Sequence, residues 1–178
     1  MRDDAARTGG PPTTTTTTAT TTRTRTTAPA GATALATVPD SADELSRLMT
    51  AVRRGRVLTV TGRRREPAGR LVRELAHRLA SNFFDGTAVV SMDRSFGPAD
   101  LAASLGCLEG MPFLPCGTMD ATSWLAERDM LLVLEGTEQL DAEALGWLRR
   151  LLASAPGVRI LAAGPAPLGL ERELVYRL

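Results

Sequence analysis

Apolar positions follow two rhythms along this chain: short runs that are mostly apolar, and longer stretches with a helical period. The short runs are Arg56 to Thr61, Thr87 to Met92, Met130 to Leu134 and Val158 to Ala162, with Leu174 to Leu178 as a last one. Runs of this length bounded by turn signals fit strands buried on both faces, as in parallel sheets. Between them, 43–52 sets Leu45, Leu48, Met49 and Val52 on one helical face, and Ser41 with Glu44 makes a capping box at its start. Further helices are expected over about 67–81, where Pro67 suits a first turn, and over 98–105, 119–128 and 142–152. Asp85-Gly86 supplies a turn before the second strand. Strands alternating with helices through short connections predict an α/β fold, a three-layer sandwich around a mainly parallel sheet, over residues 38–178.

Composition changes the picture at the N-terminus. Residues 1–37 hold Pro11-Pro12 and the threonine runs Thr13 to Thr18 and Thr20 to Thr22, with no structural period and few large apolar side chains. Such a segment cannot bury enough surface to offset chain entropy, so a disordered tail, or a start codon placed too early, is expected there. Elsewhere the 43% hydrophobic content supports a core, filled by Leu, Val and Ala because aromatics are only 4%. No apolar run approaches the ~20 residues that span a bilayer, and no signal-peptide segment opens the chain, so a cytoplasmic protein without membrane contact is expected. Cys107 and Cys116 form no disulfide framework and are expected as reduced thiols. His77 is the only histidine, and in an arginine-rich helix it is expected on a solvated face.

Net charge is +1, which implies no bulk polyanion partner, yet nine arginines lie between Arg53 and Arg78 against Glu66 and Glu74 alone. All 21 basic residues are arginine and lysine is absent; with one Ile and one Asn, this matches the codon bias of a GC-rich coding sequence. The absence still has a chemical consequence. Gly62-Arg63-Arg64-Arg65-Glu66-Pro67-Ala68-Gly69 occupies the strand-to-helix junction where a phosphate-binding loop, G-x-x-x-x-G-K-[ST], would stand. The lysine position is Ala68, and no other lysine can serve in its place.

Residues 56–86, with "LLVLEGTEQL" at 131–140 and "GVRILAAGPAPLGLERELVYRL" at 157–178, resemble the nucleotide-binding domain of NB-ARC (STAND) signal-transduction ATPases. The match is nearest to those of bacterial LuxR-type and antibiotic-regulatory transcriptional regulators. The resemblance covers about 38–178 and implies a P-loop NTPase-like fold in degenerate form. The family loop T-G-x-G-G-x-G-K-[ST] keeps Thr61 and Gly62 here. Its inner glycines fall on Arg64, Arg65 and Pro67, its lysine on Ala68 and its magnesium-binding hydroxyl on Gly69. Bulky side chains and a proline lacking N–H form a poor phosphate cradle, and Glu66 adds negative charge where the helix dipole would favour phosphate. The magnesium-binding aspartate is replaced by Glu135, which can ligate a metal only if Mg-nucleotide binds; its plainer reading is an acid solvated at the sheet rim. Glu138 matches an acidic family position of unassigned role. The γ-phosphate sensor falls on Ala163-Gly164-Pro165 and the Gly-Arg-Glu segment on Pro39-Asp40-Ser41, both without arginine. Family members continue into helical, winged-helix and sensor-repeat regions, so the core sheet alone is expected here.

The resulting expectation is a non-hydrolysing regulatory or interaction module without ATPase activity and without a cofactor. Its partner is expected to be a protein, with the remaining parts of a split regulator a candidate. One alternative is an ATP/Mg-binding switch that uses Arg63, Arg64 and Arg65 on the phosphates, with Gly62 and Gly69 in the loop and Glu135 on the metal. The other is nucleic-acid contact through the arginine cluster, disfavoured because no aromatics interleave it.

Overall fold

Each of the five apolar runs becomes a strand, and the helices between them divide over the two faces of one sheet. The computed structural model describes residues 33–36, 42–106 and 118–178. In chain order the elements are β1 (Thr33–Ala36), α1 (Ala42–Arg54), β2 (Val57–Thr61), α2 (Arg65–Leu79), β3 (Thr87–Ser91), α3 (Pro98–Gly106), α4 (Thr118–Ala126), β4 (Leu131–Glu135), α5 (Ala142–Ser154), β5 (Arg159–Gly164) and β6 (Glu173–Arg177). The strands lie in the order β1-β6-β2-β5-β4-β3, and every pairing is parallel.

Burial explains the layers. β2 and β4 are buried at every residue and β5 at all but its first, so both faces of the sheet centre must be covered. From β2 the chain crosses to the far edge at β3, steps back through β4 and β5, and passes over β2 to β6. Crossovers of this kind are right-handed, so reversing direction sends the helices to opposite faces. On one face α1 and α2 bury Leu48, Val52, Val72, Leu75 and Leu79 in a cluster that includes Leu58 and Val133. On the other, α3, α4 and α5 bury Leu101, Leu105, Leu125, Trp147 and Leu148 in a cluster with Leu132 and Ile160. Each such leucine or valine side chain contributes roughly 1.5–3 kcal/mol by leaving water.

Three polar ties close the ends of these layers. The Glu173 carboxylate, 1% exposed, accepts from Thr59 Oγ1 at 2.5 Å and from the N–H groups of Leu168 and Gly169, both at 2.8 Å. It therefore pins the β5–β6 connection and the start of β6 to the middle of β2. Arg56 donates to the carbonyls of Leu152 and Ala155, at 2.9 and 2.7 Å, satisfying acceptors at the C-terminal end of α5. Burial, with the charge of Arg159 nearby, lowers its pKa from the ordinary arginine value. Asp85, in the turn that Gly86 completes at φ +79°, accepts from Asp129 N–H at 2.8 Å and Arg128 Nη1 at 2.7 Å.

The bounds of the elements depart from the expectations in two notable places. A short edge strand, β1, pairs with β6 inside the stretch expected to carry no structure; at four residues it is too short to announce itself by period. The second helix begins at Arg65 rather than Pro67, so Pro67 is the third residue of its first turn. The rest of the expected tail, the Ser41 cap, the Pro39-Asp40-Ser41 segment and both cysteines lie outside the described residues. Glu44 accepts from the Tyr176 hydroxyl at 3.0 Å, and burial followed by that bond raises the tyrosine pKa. His77 is exposed, as expected. No helix among the described residues is long and apolar enough to cross a membrane.

Glu173→Ala leaves the Thr59 hydroxyl and two or more backbone donors buried without a partner, and is expected to cost about 2–4 kcal/mol. Urea unfolding checks it: the midpoint should fall with the slope unchanged. At Asp85 the backbone bond from Asp129, then the Arg128 bond, holds the carboxyl below its ordinary pKa. A depressed pKa contributes stability that is present above the unfolded value, about 3.9, and is lost as pH falls through the folded one. Asp85→Asn should flatten the acid limb of a stability–pH curve below about pH 4 and leave its slope above pH 6 unchanged.

Candidate functional site

At the carboxyl ends of β2, β5 and β4, the reversal in strand order leaves a cleft of about 370 Å³. Open α/β sheets bind ligands at such switch points. It is lined by Arg65, Glu66, Gly69 and Arg73 of α2, Glu135 and Gly136 at the end of β4, and Ala163 of β5.

The α2 side is set by the helix repeat. Arg65, Gly69 and Arg73 are four residues apart and so lie on one face. Only Gly62, Arg63 and Arg64 separate β2 from the helix, whose first residue is already Arg65. No extended loop wraps the helix N-terminus. Within its first turn Pro67 has no N–H to offer, and Glu66 pairs with Arg70 at 3.2 Å.

The β4 side supplies acids. Glu135 is 7% exposed, which corrects the expectation of an acid solvated at the rim: helix α2 covers it. Its Oε2 accepts from Arg73 Nη1 at 3.2 Å and Ser91 Oγ at 3.0 Å. Its Oε1 is buried and has no hydrogen-bond partner among the described residues, an arrangement that costs about 1–3 kcal/mol in desolvation. Arg65 donates Nη2 to the Met92 carbonyl and stands 3.8 Å from Glu138, which assigns that acid a partner. The guanidinium passes over Gly136, whose φ of +80° is left-handed. A Cβ there would overlap Arg65 and lie 2.5 Å from the Met92 carbonyl oxygen. Glycine is thus required at 136 twice over, by backbone and by space.

Gly69 is different. It sits inside α2, where glycine is about 1 kcal/mol less favourable than alanine. A Cβ on it would meet Arg73 Nη2 and Glu135 Oε1 at 3.7 Å, an ordinary contact. Packing does not demand glycine there.

Of the residues singled out from sequence, the cleft brings together Arg65, Glu66, Gly69, Glu135 and Ala163. Gly62 instead joins β2 to β5, its N–H donating to the Gly164 carbonyl at 3.2 Å, and a Cβ on it would touch the Leu178 side chain. Arg63 and Arg64 are exposed and outside the cleft. Sequence reasoning missed Arg73, Gly136 and the Met92 carbonyl. The four-residue spacing from Gly69 could have found Arg73; nothing local signals a backbone carbonyl as an acceptor.

A hard divalent cation does not suit this donor set. No group of three or more His, Cys, Asp or Glu that could hold a metal occurs among the described residues, and a guanidinium already occupies Oε2 of the central carboxylate. No protein-family model matches the chain, and no curated protein shows significant similarity to it.

Gly136→Ala should cost about 2 kcal/mol or more, from left-handed backbone strain plus displacement of Arg65. Thermal unfolding measures this, and Gly136→Ala combined with Arg65→Ala should recover part of the loss. A fully additive pair would mean that Arg65 does not need the space.

Proposed function

We propose that the chain is a non-hydrolysing regulatory or interaction module. On this reading it has the scaffold of a nucleotide-binding domain and keeps the nucleotide position for its own arginines. One observation carries the reading: Arg65 and Arg73 of α2 are committed to Met92, Glu138 and Glu135. In a phosphoryl-transfer site, cationic groups at the helix start and acids at the neighbouring strand end would hold phosphates and their metal. Here they hold each other. The short β2–α2 junction, the acid at Glu66 and the missing N–H of Pro67 act in the same direction, since an anion at this helix start would meet few free donors.

The partner on this reading is a protein, with the rest of a split regulator the leading candidate from the resemblance. An ATP switch would need Arg65 turned outward beside Arg63 and Arg64, whereas its guanidinium lies across Gly136.

Calorimetric titration of the full chain with MgATP tests the reading. No saturable heat is expected up to about 1 mM, which sets any Kd weaker than about −4 kcal/mol of binding free energy. Saturable MgATP binding overturns it, and loss of that binding in Glu135→Ala would establish the switch instead.

A further inference from the structure

We propose that the open edge of β3 is a self-association surface, on which a second copy of the chain lays its own β3 antiparallel about a two-fold axis at Val89. None of the residues that line the cleft belongs to β3, so the inference does not depend on how the cleft is used.

Two independent observations at this edge point to a partner. The first is the backbone. β3 ends the sheet and pairs with β4 alone among the described strands. Leu131 N–H donates to the Gly86 carbonyl at 3.1 Å, and Met92 N–H donates to the Glu135 carbonyl at 2.9 Å. Alternate residues of a parallel strand bond to the same neighbour, so Ala88 and Val90 also face β4, and Thr87, Val89 and Ser91 turn their N–H and C=O groups outward. No charged residue or proline stands in Thr87–Ser91 to block an incoming strand, the usual protection of a sheet edge. The second observation is apolar surface. Phe84 at 93% and Val89 at 46% are the large hydrophobic side chains left exposed among the described residues, and both belong to this edge. Helix α2 packs mainly over β5 and β4, which leaves Val89 open beside it.

Register identifies the occupant. In an antiparallel ladder, opposite residues whose polar groups face each other exchange both N–H···O bonds. An axis at Val89 sets Val89 against the partner's Val89, Thr87 against the partner's Ser91 and Ser91 against the partner's Thr87, so every outward group of both strands is taken. A slip of two residues leaves an end residue of each strand unpaired. Thr-Ala-Val-Val-Ser is nearly the same read in reverse, with hydroxyls at its ends and apolar residues between, so the axis joins two valines and opposes no like charges. Beyond the ladder the ends are complementary: the partner's Asp93 and Arg94 arrive where Phe84 and the Asp85–Arg128 pair stand. An arginine suits an exposed ring, as Arg94 shows over Phe96 at 5.0 Å. A five-residue ladder with one phenylalanine at each end lies below the ~1,200 Å² of standard interfaces, which makes the dimer weak and reversible. Because the two-fold uses the same edge on both copies, assembly closes at two.

Sedimentation equilibrium of the full chain under reducing conditions, from about 5 to 500 µM, tests the proposal. A monomer–dimer equilibrium with a Kd of about 10–500 µM is expected. Amide hydrogen exchange reads the edge itself. The N–H groups of Thr87, Val89 and Ser91 should exchange freely in dilute solution and gain protection of about tenfold or more as the dimer fills, whereas those of Ala88 and Val90, bonded to β4, stay protected throughout. Val89→Lys sets two like charges together at the axis and should weaken the dimer about tenfold or more. Its melting temperature in dilute solution should stay within about 2 °C of the parent, because the side chain it replaces is half-exposed. If that variant fails to fold, the exchange pattern of the unaltered chain decides alone. A monomer at every concentration, a dimer unmoved by Val89→Lys, or a dimer without added protection at the three outward amides overturns the proposal. Species larger than a dimer overturn the two-fold.

Discussion

Burial of β2, β4 and β5 on both faces is the constraint from which the rest of this structure follows. A sheet whose central strands are apolar throughout cannot leave either face to water, so its crossover helices must be shared between the two. A right-handed chain can do that only by reversing its direction across the sheet. The reversal falls where β5 lies between β2 and β4. There α2 leaves over one face and α5 over the other, and the strand ends part to leave the cleft. Its position is thus a by-product of covering the core, and its chemistry is whatever α2 and the end of β4 bring to it.

What they bring is charge of opposite sign, and magnitudes decide how to read it. The Arg65–Glu138 and Arg73–Glu135 pairs each have an arginine about half exposed, and pairs of that kind are worth about 0–1 kcal/mol. They are therefore a weak explanation for the fold, whose stability lies in the two apolar clusters. Their consequence is occupancy. A buried carboxylate such as Glu135 needs compensation, and Arg73 with Ser91 provides it from the protein itself. Glu173 shows the alternative solution at the opposite side of β2, where backbone N–H groups and a threonine hydroxyl satisfy both oxygens and no cation is involved. Of the two buried glutamates among the described residues, the one at the cleft retains an unsatisfied oxygen.

The layers were legible in the sequence because long-range burial leaves a local trace. Met130 to Leu134 is apolar without interruption because β4 is enclosed, and Leu45, Leu48 and Val52 keep helical spacing because one side of α1 faces the sheet. Element ends were less legible. Pro67 pointed to a helix start that in fact lies two residues earlier, since proline is tolerated anywhere in a first turn. The four residues of β1 carry no period to detect. At the site, Arg65, Gly69 and Glu135 were visible as departures from a motif. The bonds they make were not, because Met92, Ser91 and Glu138 meet α2 only after the sheet brings β3 and β4 beside it. Glu173, which accepts four hydrogen bonds, lay unremarked at the start of the last apolar run, since three of its donors are backbone N–H groups that no side-chain pattern records and the fourth, Thr59, is distant in sequence.

The missing lysine takes on a different meaning once α2 is placed. Position 68, which would carry it, is buried at 1% exposure in the same apolar cluster as Val60, Val72 and Ala163. The cleft is reached instead from positions 65, 69 and 73, a different face of the same helix. A lysine at 68 would have to place an ammonium in that core, which desolvation opposes strongly. A lysine introduced at that position alone would therefore not make a phosphate site. The chemistry of the cleft is set by how the helix starts and which face it turns to the sheet, with arginine suited to the result. Its fork can hold a carbonyl and a carboxylate at once, as Arg65 does with Met92 and Glu138, where an ammonium is a single point of charge.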